Sequence, residues 1–158
     1  MERFEYAVTL TRAKEGGYVV TCRDLPPLVT QGEDVSDALA EAADAMDEVF
    51  AAYMQNKLAF PAPSRARRGE RWVAPSTVMV AKSALYTAMR DARITNVQLA
   101  RRLGVDEKEV RRLLDPHYAS KLPRIAAAVA LLGKRLVIGL EEGEGETSRP
   151  RRRIRRAA

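Results

Sequence analysis

Residues 95–114 have the sequence TNVQLARRLGVDEKEVRRLL, which predicts two short amphipathic helices joined by a tight turn. Apolar side chains recur at helical spacing on both sides of Gly104. Glycine adopts a positive φ at little cost, so Gly104 suits the turn, and Ala100 is small where two crossing helices must approach closely. Asp106 is a good N-cap for the second helix. The joint spacing favours a helix-turn-helix over an ordinary helical hairpin within an enzyme.

In a helix-turn-helix that binds DNA, the second helix enters the major groove. Lys108, Arg111 and Arg112 are then candidates for contacts with base edges, and the region of Lys121 and Arg124 for contacts with backbone phosphate. The full set of predicted DNA-binding residues is Asn96, Gln98, Lys108, Glu109, Arg111, Arg112, Ser120 and Lys121.

Charge divides the chain into two unlike halves. Residues 1–60 hold five Lys/Arg and eleven Asp/Glu, a net charge of −6, whereas residues 61–158 hold twenty-two and ten, a net charge of +12. A basic half favours a polyanion such as DNA, and an acidic half suits a basic protein. The carboxylates predicted to contact such a protein are Asp24, Asp37, Glu41, Asp44, Asp47 and Glu48.

The first half predicts a small antiparallel sheet. Hydrophobic residues alternate with polar ones over 4–10, and a glycine turn then leads into the apolar run 18–22, so these segments form a hairpin. Residues 28–30 are long enough only for a short third strand. Residues 72–73 suit an edge strand that closes the first domain, with Trp72 as core filler.

One long helix follows the third strand. An N-cap at Ser36 is expected, with the helix continuing to about Lys57. Apolar residues from Val35 to Met54 form a continuous stripe. The opposite face carries Asp37, Glu41, Asp44, Asp47 and Glu48. The stripe is expected to pack on the sheet.

The second half predicts helices throughout. Ser76 is the expected start of a helix that supports the helix pair, and a last helix is expected to open at Leu122 and end at Gly133. Residues 135–140 suggest a strand with no mate in this half, which could pair with the same strand of a second chain and so form a dimer. Residues 142–158, acidic and then basic, are expected to be disordered.

Composition argues against several classes of protein. No apolar run approaches the ~20 residues that span a bilayer, and the first residues lack the apolar segment of a secretory signal, so a soluble cytoplasmic protein is expected. Cys22 is expected in the core, and His117 at the surface or on a phosphate. With one cysteine and one histidine, the usual pairs of base and nucleophile are scarcely available, so no enzymatic activity, metal or other cofactor is expected.

Two stretches resemble the HicB family of antitoxins from prokaryotic toxin-antitoxin modules, and the likeness covers residues 4 to about 140. Residues 16–46, GGYVVTCRDLPPLVTQGEDVSDALAEAADAM, are similar to the family's hairpin, short strand, glycine turn and helix rich in alanine and acids. Residues 73–140, which include the predicted helix pair, resemble the HicB variant with a helix-turn-helix. This second likeness is the more specific.

The resemblance implies an α+β protein in three parts. Residues 1–75 would be a partial ribonuclease H-like domain without ribonuclease activity, formed by a small antiparallel sheet and one long helix. This domain would bind and block a HicA-type toxin, a short basic protein that cleaves mRNA with a histidine. Residues 76–141 would be an all-helical domain that binds operator DNA as a dimer and represses the module's own promoter, and residues 142–158 a charged tail.

Two other functions stay open. A stand-alone transcription regulator, whose first domain senses a small molecule, predicts a ligand pocket and no toxin gene nearby. A metal-dependent nuclease of the ribonuclease H type would need several carboxylates that converge at strand ends. Asp24 is the one carboxylate that the first hairpin offers there.

Overall fold

The structure, a computed structural model, describes residues 2–139 and confirms the predicted α+β class. Within these residues the chain forms four strands and five helices. In chain order they are β1 (Tyr6–Arg12), β2 (Tyr18–Cys22), β3 (Val29–Gly32), α1 (Val35–Gln55), β4 (Arg71–Val73), α2 (Thr77–Asp91), α3 (Asn96–Leu103), α4 (Glu107–Leu114) and α5 (Leu122–Leu131). The predicted tail, 142–158, lies outside the described residues.

The strands form one antiparallel sheet in the order β3-β2-β1-β4. β1 and β2 are the predicted hairpin, and β4 pairs with β1 as the predicted edge strand. Because directly opposed residues share a face, the buried Tyr6, Val8 and Val20 lie on the face toward α1. The other face carries residues such as Thr21 and Val29, which are exposed.

Trp72 is not core filler, so that prediction is wrong. Trp72 is 47% exposed, whereas its neighbour Val73 is buried. Adjacent residues of a strand point to opposite faces, so only one of the two can reach the core. The register places Val73 opposite Tyr6 and Trp72 opposite Ala7, which gives the core position to Val73.

α1 covers the inner face of the sheet but begins earlier than predicted. Its N-cap is Asp34, whose side chain accepts a hydrogen bond from the backbone N–H of Asp37 at 2.9 Å, and not Ser36. Serine and aspartate cap helices about equally well, so the local sequence did not decide between them. The earlier start leaves Val35 exposed, contrary to the predicted stripe, and places Ala38 in the core.

An aromatic cluster holds the connection between α1 and β4 against the rest of the fold. The ring of Phe60 lies 4.6 Å from the ring of Phe50, centroid to centroid, and 5.8 Å from the ring of Tyr86 in α2. The hydroxyl of Tyr86 also donates to the carbonyl of Leu58 at 2.9 Å. α1, the connection and α2 therefore pack together.

α2 contributes to two hydrophobic cores. Met79 belongs to the core between the sheet and α1, whereas Ala81, Leu85 and Met89 belong to the core formed with α3, α4 and α5. Its N-cap is Ser76, as predicted. The division at residue 75 stays a prediction, since α2 serves both cores.

Lys82 is the largest departure from the predicted core of α2. Its side chain is fully buried, and its Nζ donates to the backbone carbonyls of Asp115 at 2.6 Å and Arg112 at 3.3 Å and to the Ser120 hydroxyl at 2.9 Å. Burial lowers the pKa of Lys82, and the nearby charge of Asp115 opposes that shift. One ammonium thus satisfies carbonyls at the end of α4 that the helix itself leaves unpaired.

The segment after α5 forms no strand within the described residues, although 135–140 was predicted as one. Val137 and Ile138 are 54% and 64% exposed, so their apolar side chains have little cover in the single chain. Pairing with a second copy stays a prediction, and Leu140 lies outside the described residues. None of the helices described here has the length and apolar character to cross a membrane.

Replacing Lys82 tests whether its hydrogen bonds stabilise the second core. Lys82→Met keeps an unbranched side chain but removes all three donors, so we expect the free energy of unfolding to fall by about 1–3 kcal/mol. Urea denaturation provides the measurement. Lys108→Met, at an exposed site of α4, is the control and should change the value by less than about 0.5 kcal/mol. Equal effects of the two changes would contradict this account of Lys82.

Candidate functional site

A tight turn at Gly104 joins α3 and α4, as the sequence predicted. Gly104 adopts φ 68° between the helices, and the backbone N–H of Val105 donates to the carbonyl of Ala100 at 3.0 Å. An added Cβ at Gly104 would meet no atom within 4 Å, so the dihedral angle and not crowding favours glycine here. Thr95 and Asp106 cap the two helices through their side chains.

Three of the predicted DNA-binding side chains share the exposed outer surface of α4. Lys108, Arg111 and Arg112 are all exposed. Arg111 forms an i, i+4 ion pair with Glu107 at 2.8 Å, and the guanidinium of Arg112 lies 5.5 Å from the centroid of the Tyr118 ring. These contacts hold the two guanidinium groups in place while leaving them open to solvent.

Other members of the predicted set already have structural partners. Ser120 donates to the carbonyl of Arg112 at 3.1 Å and accepts from Lys82, and Gln98 accepts from the backbone N–H of Thr95 at 2.9 Å. Glu109 forms an ion pair with Arg124. These three side chains therefore orient the helices and the loop. Asn96 is half-buried, and Lys121 is exposed at the start of α5.

Tyr118 was missed as a site residue by reasoning from the sequence. It is 45% exposed and lies beneath Arg112. An aromatic residue after Pro116 and His117 gives no periodic signal, because the loop that carries it has no repeating geometry. The nearby His117 donates its backbone N–H to the carboxylate of Asp115 at 3.0 Å, as part of the turn.

Four of the predicted acidic contacts form an exposed row on α1, which we call the acidic row: Asp37, Glu41, Asp44 and Glu48. The fifth acidic residue of α1, Asp47, is half-buried and accepts a hydrogen bond from the backbone N–H of Ser76 at 2.8 Å. Asp47 therefore holds the start of α2, whereas the side chains of the acidic row are exposed. Within the row, Asp37 also accepts a hydrogen bond from the backbone N–H of Glu33 at 2.8 Å.

A cleft of about 590 Å³ lies at the N-terminal end of the acidic row. Glu15, Glu33, Asp37 and Glu41 contribute to its walls, together with Gly32. A Cβ added at Gly32 would lie 2.3 Å from the backbone nitrogen of Ala38, so only glycine allows β3 to pass so close to α1. The cleft is open and its carboxylates favour a cationic group.

Asp24 lies apart from the acidic row and is held within the fold. Its carboxylate accepts hydrogen bonds from the backbone N–H and the hydroxyl of Ser64, at 2.8 and 2.7 Å. Burial acts to raise the pKa of Asp24, but the hydrogen bonds from Ser64 and the charge of Arg23 outweigh it, so the pKa lies below its ordinary value. Among residues 2–139, no group of three or more His, Cys, Asp or Glu side chains could hold a metal ion.

Glu70 completes this network. It accepts from Arg23 Nε at 3.0 Å and from the backbone N–H of Arg67 at 2.6 Å, and these bonds lower the pKa of Glu70 to about 2. Arg23 also donates to the carbonyl of Arg65 at 2.6 Å. The connection before β4 is thus fastened to the end of β2. Cys22, at that end, is buried as predicted, and burial raises the pKa of its thiol.

Comparison with known proteins gives a consistent result. Residues 5–84 match the family model of the HicB-like antitoxin of bacterial toxin-antitoxin systems. The chain is 37% identical over 131 residues to Antitoxin HicB of Escherichia coli K12, which covers 83% of this chain and 95% of that protein. It is 30% identical over 141 residues to Antitoxin HicB 1 of Photorhabdus laumondii, covering 89% and 90% of the two chains.

The Glu70 network predicts a loss of stability in acid. The pKa of Glu70 is about 2 in the folded chain against an ordinary value of 4.5, so between these values the unfolded chain binds more protons. The stabilisation is complete above about pH 4.5 and is lost as the pH falls toward 2. We expect Glu70→Gln to lower the urea midpoint at pH 7. The midpoint of this variant should also fall less between pH 4.5 and 3 than the midpoint of the unchanged protein. The exposed Glu15→Gln is the control, and an equal decline in both variants would refute the assignment.

Proposed function

The chain belongs to the HicB-like antitoxin family, and from that premise we propose that it blocks a HicA-type toxin with its first half and represses its own operon with its second. The family implies a toxin partner and favours a regulatory role over catalysis. The acidic row of α1 is the observation that carries the proposal for the first half, because its carboxylates are exposed on a single helix face.

A basic, RNA-cleaving partner would be blocked by occlusion. An acidic surface placed over a basic RNA-binding face competes with RNA for the same charges and speeds association with the partner. The cleft at the end of the acidic row suits one projecting Lys or Arg side chain of that partner. Asp24 and Asp47 act within the fold in this proposal, since both already accept hydrogen bonds there.

The proposal for the second half is a helix-turn-helix that reads operator DNA. Its support is the turn at Gly104 together with the exposed cations of α4, which suit base edges and phosphates. Lys108, Arg111 and Arg112 would contact base edges, the two arginines after release from Glu107 and Tyr118, and Lys121 would contact backbone phosphate. We propose a cytoplasmic dimer in which residues 135–139 of two copies pair, because Val137 and Ile138 are exposed in one copy.

Growth rescue tests toxin neutralisation. The short open reading frame beside the gene is expressed alone and then with the full chain, since α2 completes the first core and residues 1–75 would lack it. The neighbour should arrest growth and the full chain should restore it. A harmless neighbour, or a toxic one that the full chain fails to rescue, would overturn the proposed partner.

A charge variant tests the acidic row itself. Glu41→Gln, Asp44→Asn and Glu48→Gln together should slow association with the purified toxin by about tenfold at low salt, because long-range attraction is reduced. Stopped-flow fluorescence measures the rate, and unchanged binding of operator DNA shows that the variant is folded. An unaltered association rate would exclude the acidic row as the interface.

Arg111→Ala tests the DNA-reading surface. If Arg111 makes a bidentate contact with guanine, operator affinity should fall by about 1–3 kcal/mol, with a smaller loss on random DNA. Fluorescence anisotropy at fixed salt measures both. Arg12→Ala removes one exposed positive charge from the end of β1 and is the matched control. Unchanged affinity for both DNAs after Arg111→Ala would refute this role.

A further inference from the structure

A basic segment beside Trp72 takes no part in either proposed surface. Residues 65–70, which we call the arginine turn, cross from the end of β2 to the start of β4. Arg65, Arg67 and Arg68 are exposed, and within the described residues their side chains have no hydrogen bond or ion pair. Three free guanidinium groups in six residues form a local cationic surface.

The backbone of the arginine turn is fixed. The N–H of Glu70 donates to the carbonyl of Arg67 at 3.1 Å, and the Glu70 carboxylate accepts from the N–H of Arg67 in return. Gly69 adopts φ 88° to close the turn, and Arg23 binds both Glu70 and the carbonyl of Arg65. The turn therefore presents its arginines from a held backbone, so little backbone entropy is lost when a ligand binds.

The carboxylates near the turn are already occupied. Glu70 is engaged by Arg23 and the backbone of Arg67, and Asp24 by Ser64. The local group has four arginines and two carboxylates, a net charge of +2: Arg23, Arg65, Arg67 and Arg68 against Asp24 and Glu70. This surface is opposite in sign to the acidic row.

Trp72 lies on the same side of the sheet as the turn. Trp72 in β4 is opposite Ala7 in β1. On the β2 side of β1, Val8 is opposite Cys22, so the next residue, Arg23, is level with Ala7. Trp72 and Arg23 thus flank Ala7, which is only 1% exposed although it faces away from α1. The exposed indole and the arginine turn, which Arg23 binds, belong to one continuous surface.

We propose that this surface binds a single-stranded nucleic acid, with backbone phosphates on Arg65, Arg67 and Arg68 and an unpaired base stacked on Trp72. Guanidinium groups hold phosphate through charge-assisted hydrogen bonds. An exposed indole beside them adds a stacking platform, which a base inside a duplex cannot use. The uncharged Thr9 and Thr21 continue the face without repelling the chain of phosphates.

Trp72 is the sole tryptophan of the chain, so its own fluorescence reports stacking. The full-length protein is titrated at low salt with a ten-nucleotide oligo(U) RNA, an oligo(dT) DNA of the same length, a DNA duplex, and a polyglutamate peptide of similar charge. Saturable quenching by either single strand, and less by the duplex, is the expected result. Quenching by the peptide alone would assign an acidic protein segment and overturn the proposal, as would equal quenching by the duplex.

Two matched variants locate the binding. Arg67→Ala with Arg68→Ala should weaken single-strand binding about tenfold and lower the slope of log affinity against log salt by about one to two. Arg101→Ala with Arg102→Ala removes the same charge from an exposed pair in α3 and should leave the quenching titration unchanged. Equal losses from both pairs, or no loss from the first, would overturn the proposal. Unchanged circular dichroism and urea midpoints show that each variant is folded.

Discussion

The ammonium group of Lys82 is the constraint on which the second half depends. A buried charge is costly unless its hydrogen bonds are complete, and here two carbonyls and one hydroxyl complete them. Those acceptors belong to the end of α4 and to the loop that follows it. α4 is a short helix with only two buried residues, Val110 and Leu113, so packing alone fixes it weakly. The hydrogen bonds of Lys82 therefore fix the orientation of α4, which two buried side chains alone would leave undetermined.

α2 links that constraint to the rest of the molecule. One side of the helix packs with α1 and Phe60, and the other with α3, α4 and α5. The acidic row of α1 and the exposed cations of α4 therefore lie on helices of two cores, and α2 contributes side chains to both cores. Opposite charges on the same chain attract each other, and the packing of α2 in both cores resists any movement that would bring the two surfaces together.

The sequence predicted what depends on near neighbours in the chain. The turn at Gly104, the caps at Ser76 and Asp106 and the first hairpin all follow from residues within a few positions of one another. Tertiary contacts decided the rest. Ser120 and Asp24 were expected at a partner surface, yet each binds a residue 38 or 40 positions away, Lys82 and Ser64 respectively. The register between β4 and β1 places Val73 rather than Trp72 in the core, and no local sequence pattern specifies that register.

Gly32 restricts how this protein can diverge. Any side chain there would collide with the first turn of α1, so the floor of the acidic cleft cannot be altered without moving the helix. The rim differs, because Glu15, Glu33 and Glu41 are exposed and each can be exchanged independently. If the partner binds at this cleft as proposed, duplicated copies of such a gene in one genome can acquire separate partners by changes in the charge and size of the rim residues. The backbone beneath the rim would then stay the same in all the copies. A few surface residues would decide whether one copy binds the partner of another.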